Sequence, residues 1–187
     1  MDDEIRKDID IFLNTPEIKE KILECLSKTN RIGNEHMFHW AIDNNKIITS
    51  EIVEGEPSGI DTQTGIAWMK FFQFKKHGDF HTHPTARKII LPSNADIYQW
   101  ILNQNYFSCI GGFIEGKTEI KCFPIKIIKE SINDIKEYLR NIDDLSEITN
   151  DTERLIAEFN NAVTELRESM RHRPDMWESD IVVKEYT

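Results

Sequence analysis

The stretch "GDFHTHPTARKIILPSNADIYQW", residues 78 to 100, decides how the rest of the chain is read. His81 and His83 lie one residue apart and are followed by Pro84, and Ser93 stands three positions ahead of Asp96. "GDFHTH" is short, flanked by apolar residues and stopped by a proline, which predicts a strand end running into a loop. Ser93 fits a helix N-cap with Asp96 at the third helical position, which predicts a helix over "NADIYQWILNQN". On an extended strand, residues i and i+2 project from the same face, so both imidazoles can reach one metal ion. Asp96 can fold back across the loop to add a carboxylate. Two histidines and one aspartate leave a fourth position open for water, and an open position separates a catalytic zinc from a structural one. Ser93, at the helix mouth, is placed to hydrogen-bond an oxyanion. The stretch contains no base; an acid/base carboxylate has to arrive from another segment. Alone, an H-x-H pair is usually two ordinary histidines and S-x-x-D usually only a cap. Strand, loop and helix in this order give the combination its weight.

Working outward, "IAWMKFFQFKK" ahead of the stretch is ambiguous between strand and buried helix, and is read as a short helix leading into the motif strand. The loop before it, "EGEPSGIDTQTG", is rich in turn formers. "EHMFHWAI" and "KIITSEIVEG" form a hairpin about Asp43-Asn44-Asn45. Ahead of that hairpin, "TPEIKEKILECLSKTN" is a helix with Thr15 at the cap, Pro16 in the first turn and Ile18, Ile22 and Leu26 four apart; Asn30 and Gly33 close it. After the stretch, "YFSCIGGFI" and "EIKCFPIKII" form a second hairpin about Glu115-Gly116-Lys117, dense enough in apolar residues for central strands. "SINDIKEYLRNI" and "DTERLIAEFNNAVTELRESMRHR" are amphipathic helices, the second with Leu155, Phe159, Val163, Leu166 and Met170 on one stripe. The tail "PDMWESDIVVKEYT" either docks as a strand or stays loose. The fold class expected is α/β, a central mixed β-sheet flanked by helices with a helical C-terminal extension. The domain reading is residues 1–128 as the catalytic-type domain and 129–187 as the extension and tail.

"GDFHTHP" followed by "PSNADI" resembles the signature of the JAMM (MPN-plus) metalloprotease family, H-x-H-P on a strand and S-x-x-D at a helix start. The likeness covers roughly residues 15 to 128. It implies a cytidine-deaminase-like JAMM/MPN architecture and a zinc-dependent peptidase or isopeptidase that cuts the amide bond after the C-terminal tail of a ubiquitin-like protein. By the same likeness His81, His83 and Asp96 match the zinc ligands, and Ser93 the serine beside the oxyanion. Glu35, at the start of the strand after the helix, matches the acid/base glutamate, with Glu51 and Glu54 as runners-up. The chain departs from the pattern twice. Twelve residues separate His83 from Asp96 where the family commonly has ten, and the small residues that usually follow the glutamate are replaced by His36, Met37, Phe38 and His39. RadC-like proteins share the H-x-H-P…P-S-x-x-D order, and family members lacking ligands act as scaffolds, so a catalytically silent scaffold or a RadC-like protein are the alternatives. Phosphoesterase families that begin with H-x-H would need further metal ligands downstream, and the nucleotide-binding hydrolases with H-x-H-x-H a histidine at Thr85.

His36, His39, His77 and His172 are set aside as surface, packing or helix-end residues. Lys and Arg total 23 against 33 Asp and Glu, a net charge of −10; that repels phosphate backbones and argues against nucleic acid as a partner. The expected partners are a ubiquitin-like protein or its conjugates. The C-terminal segment is open between capping the domain, homodimerisation and binding the conjugating enzymes. Apolar residues make up 39% of the chain, enough for a core, and no window approaches the ~20 apolar residues of a membrane span. Cys25, Cys109 and Cys122 form no C-x-x-C pair and are read as ordinary small residues of a cytoplasmic protein. Substrate specificity is expected in the loops at 55–65 and 84–92.

Overall fold

A computed structural model describes residues 2–57, 62–84, 90–142, 152–177 and 181–186. Five α-helices and seven strands occur among them: α1 (Asp3–Asn14), α2 (Pro16–Ile32), β1 (His36–Asp43), β2 (Lys46–Thr49), β3 (Val53–Glu54), β4 (His77–Thr82), α3 (Asn94–Leu102), β5 (Phe107–Ile114), β6 (Lys117–Pro124), α4 (Ile125–Ile142), α5 (Thr152–His172) and β7 (Val182–Tyr186). A 3-10 helix spans Thr62–Gln73. The strands form one mixed sheet in the order β2-β1-β4-β5-β6-β7, with β3 also pairing with β1. This is the expected class, a mixed sheet flanked by helices, with further helices at the C-terminal end.

Among the described residues β4 and β5 run parallel and the other pairings are antiparallel. A parallel pair needs a crossover, here the segment containing α3. The crossover returns the chain past the sheet, so α3 begins where β4 ends. That topology puts the helix N-terminus beside the C-terminal end of a strand, the usual place for a ligand in α/β sheets.

Strand alternation divides the core in two. One face presents Phe38, Trp40, Phe80, Phe107, Cys109, Ile120 and Cys122, packed under Ile9, Phe12, Leu13, Ile18, Ile22 and Leu26 of α1 and α2. Each such fully buried side chain stabilises the fold by about 1.5–3 kcal/mol. The other face is covered in two parts. Ala41 sits under Trp68 and Phe71 of the 3-10 helix. Ile110 and Phe123 sit under Ile97 and Trp100 of α3 and under Ile128, Ile132, Val163, Leu166 and Met170 of α4 and α5.

Several expectations are met in detail. α2 starts at Pro16 and closes on Gly33 at φ 85°, a left-handed position that suits glycine. Asn44 and Asn45 both have positive φ, the requirement of a two-residue type I′ hairpin turn. The tail docks as β7 on β6. Other expectations change. The second strand of the first hairpin is broken into β2 and β3. "IKII" belongs to α4, because Pro124 ends β6 and the helix starts at Ile125. Helix α1 was not anticipated, although Ile5, Ile9, Phe12 and Leu13 form its buried stripe and Asp2 caps it by accepting from the Glu4 N–H at 2.9 Å.

The cysteine reading is corrected. Cys109 and Cys122 face each other across β5 and β6 and are joined as a disulfide; only Cys25 is free. This removes the cysteine-based reason for placing the chain in a reducing compartment. No helix among the described residues is long and apolar enough to cross a membrane. Of the two loops expected to set specificity, residues 58–61 and 85–89 lie outside the described residues.

Candidate metal centre

β4 is buried along its whole length, and the chain stays extended beyond it: the His83 N–H donates to Gly111 O at 2.8 Å, continuing the ladder with β5. His81 and His83 therefore project from the same face, their ring centroids 5.2 Å apart. α3 opens with a reciprocal capping box in which the Ser93 N–H donates to Asp96 Oδ2 at 2.7 Å and the Asp96 N–H donates to Ser93 Oγ at 3.1 Å. The box fixes the Asp96 side chain before it meets anything else. Asp96 Oδ2 then lies 3.5 Å from His81 Nε2 and 3.8 Å from His83 Nε2. One donor atom from each of the three residues lies within 4.8 Å of the others.

Donors at about 2.0 Å from a tetrahedral ion stand about 3.3 Å apart, so these separations are close to those of a ligand set. His81 Nε2 is buried and makes no hydrogen bond among the described residues. A buried polar nitrogen without a partner costs about 1–3 kcal/mol, and an ion at this point would satisfy it. Two imidazoles and a carboxylate suit a divalent transition metal. The three residues thus form a buried group that could hold a metal. Without one, they interact with each other: burial opposes the His81 imidazolium, yet the Asp96 charge and the bond to Asp79 raise its pKa well above the ordinary value. Burial likewise opposes the Asp96 carboxylate, and His81, His83 and the Ser93 N–H together hold its pKa well below the usual range.

The structure adds a residue that the sequence reading passed over. Asp79 Oδ1 accepts from His81 Nδ1 at 3.1 Å, while its Oδ2 accepts from Asn105 Nδ2 and Ser108 Oγ, each at 3.0 Å. Asp79, Asn105 and Ser108 are all buried. The bond to Asp79 assigns a proton to Nδ1, so Nε2 is the nitrogen that faces Asp96 and, once it gives up its own proton, the one free to ligate a metal. This is the orientation that a metal-ligating histidine needs. A signal was available: Asp79 is two residues before His81, so it shares a strand face with it, and an acid between Gly78 and Phe80 in an apolar strand calls for a buried partner.

The proposed carboxylates separate by burial and face. The β1–β4 register pairs Met37 with His81; continued by two residues, it sets Glu35 across from His83 on the same sheet face. Glu35 is only 5% exposed, and its backbone is held by Glu56 O and the Gly55 N–H. Glu54 pairs with His36, which belongs to the opposite face, and its carboxylate accepts from Asn34 Nδ2 at 2.8 Å. Glu51 is exposed. Of the three, Glu35 is the buried one, and the continued register puts it on the face of the two histidines.

Of the remaining histidines, His36, His39 and His77 are buried packing residues, more buried than expected, and His172 is exposed at a helix end. His36 Nδ1 lies 2.8 Å from Thr29 Oγ1, and the His36 N–H donates to Thr82 Oγ1, between the two ligands in sequence. His39 stacks on Trp68 at 4.3 Å, and burial pulls its pKa down to about 4. His77 packs against Phe72. His172 closes α5 against Glu168 at 2.9 Å. No protein-family model and no curated protein matches the chain.

Proposed function

We propose that the protein is a zinc-dependent peptidase or isopeptidase of the JAMM type, cutting the amide bond after the C-terminal tail of a ubiquitin-like protein. The observation that carries the reading is the buried His81–His83–Asp96 group, one donor atom from each lying within 4.8 Å of the others; buried Glu35, just ahead of β1, is the carboxylate that the strand register would bring to the same face. His81, His83 and Asp96 would hold the zinc. When bound, zinc supplies Lewis-acid polarisation of the scissile carbonyl and acidifies water enough for attack near neutral pH. Glu35 accepts the water proton and returns it to the leaving amine. The Ser93 hydroxyl already accepts the Asp96 N–H; its own proton is left to donate to the oxygen of the tetrahedral centre. β3 pairs with the start of β1, so the sheet edge nearest Glu35 is the place where an extended tail would add as a strand.

Metal analysis of the purified protein should find one zinc per chain that is lost in His83→Ala. Iron in its place, or no metal in either protein, would overturn the reading. Cleavage of a ubiquitin-like fusion should fall by about 10²–10⁴-fold in Glu35→Gln with zinc retained. A zinc-loaded protein inert towards every fusion and conjugate would make it a scaffold of the same fold.

A further inference from the structure

We infer that Arg167 of the C-terminal helix α5 is a positioning residue for the metal centre, acting through the chain on either side of Ser93. Its Nε donates to Pro92 O at 2.8 Å and its Nη1 donates to Asn94 Oδ1 at 3.0 Å. One guanidinium therefore ties down the residue before and the residue after the cap of α3. Ser93, between them, makes the two capping bonds that fix Asp96, and Asp96 Oδ2 is the atom nearest both histidines. The path from α5 to the ligand set thus has hydrogen bonds at its two ends, Arg167 to Pro92 and Asn94 and Ser93 to Asp96, joined by the peptide bonds on either side of Ser93.

The packing gives this tie a reason. α3 is only nine residues long, so its own backbone bonds hold it weakly. α5 supports it by burying Val163, Leu166 and Met170 in the core that contains Ile97 and Trp100, and Phe159 meets Tyr98 edge-on at 5.9 Å. Packing sets where the helix lies, and Arg167 sets how its first turn is entered. The twelve-residue spacing between His83 and Asp96 makes an external tie useful: a longer connection defines the position of its far end less well. The guanidinium geometry matters, since two acceptors on different residues need a planar fork and a lysine ammonium cannot replicate it. In this view the C-terminal extension is a working part of the site, and undocking α5 would loosen the ligand set without touching a ligand.

The inference rests on the metal-site reading, and zinc binding tests the two separately because it needs no substrate. Zinc affinity would be measured by competition with a chromogenic chelator, and site geometry by the visible spectrum of the cobalt(II)-substituted protein. The variants are full-length Arg167→Met, which keeps the apolar stem, Arg167→Lys, and Asn94→Ala at an exposed position where folding is not at stake. Arg167→Met should bind zinc about 10-fold more weakly, at the low end of the loss seen when an outer partner is removed, with an altered cobalt spectrum and a Tm close to that of the parent. Arg167→Lys should fail to restore it. Asn94→Ala should give a smaller loss, and the double variant should be no worse than Arg167→Met alone, as for two residues on one path. Unchanged zinc affinity and spectrum in both single variants, or losses that multiply in the double variant, would overturn the inference while leaving the metal site standing. A parent protein that binds zinc no better than His83→Ala would overturn both.

Discussion

Replacing Asp79 by Asn tests how the centre is built, because it changes one buried atom and almost no volume. In the parent, Oδ1 accepts from His81 Nδ1 at 3.1 Å, and Oδ2 accepts from Asn105 Nδ2 and Ser108 Oγ at 3.0 Å each. An amide can match only part of this set. If its oxygen keeps Asn105 and Ser108, its NH₂ faces Nδ1, which must give up its proton, and the His81 tautomer with Nε2 protonated has no lone pair for a ligand. If the amide is flipped, its oxygen keeps His81 but its NH₂ meets the NH₂ of Asn105, and a buried donor is left unmatched at about 1–3 kcal/mol. Both arrangements lose a bond in a site where Asp79 is 3% exposed and water cannot substitute freely. On the zinc reading proposed above, the expected cost in metal affinity is about 10–100-fold, or about 1.4–2.8 kcal/mol. Chelator competition measures it, and long-range ¹⁵N–¹H correlation spectra of the His81 ring report the tautomer directly. Ser108→Ala should produce a smaller loss, since Asn105 still holds Oδ2. Parent-like metal affinity in Asp79→Asn, with the Nδ1-protonated tautomer retained, would refute the reasoning.

Three further outcomes follow from the fold. Cys25 is fully buried and its thiol is pushed up to about 12 by burial, so the native protein should show no thiol reactive to a disulfide reagent; denatured without reductant it should show one, and with reductant three. His39 is depressed to about 4 by burial, so the unfolded state binds its proton first as pH falls. The stability this residue contributes should be complete above about pH 6.5 and lost between about 6.5 and 4, by about 3 kcal/mol, and His39→Phe should flatten that part of a urea-denaturation profile. Gly78→Ala would bring a Cβ to 1.8 Å from Phe107 O and 2.7 Å from Trp40 Cζ2; backbone must shift, and chemical denaturation should register a loss of about 3 kcal/mol.

The local features of the site were legible because they depend on neighbours in sequence. Alternation along "DFHTH" dictates that His81 and His83 share a face, and the capping box of Ser93 and Asp96 is a four-residue pattern with its own hydrogen bonds. Turn chemistry at Asn44-Asn45 and the helix closure at Gly33 are equally local. Helix α1 is local too, a stripe of Ile5, Ile9, Phe12 and Leu13 at helical spacing under an acidic surface. The parallel register of β4 and β5 is not local, and it is what returns α3 to the end of β4 and brings Asp96 to within 3.8 Å of both imidazoles.

Other decisions belonged wholly to tertiary structure. Asn105 and Ser108 reach Asp79 only because β5 lies beside β4, and Cys109 meets Cys122 only because the second hairpin puts them directly opposite each other. Among Glu35, Glu51 and Glu54, composition offers no way to choose, while in the fold Glu35 is buried, Glu51 is exposed and Glu54 pairs with His36 on the opposite face. Arg167, seventy-one residues after Asp96 in the chain, reaches the helix cap through packing of α5 that no spacing foretells. The sequence by itself determined which side chains can act as ligands and the strand and helix ends that carry them, since backbone periodicity and capping are short-range. Which residues orient those ligands was decided by long-range strand pairing and helix packing, because a hydrogen bond needs its partner within about 3 Å and only the folded chain supplies that.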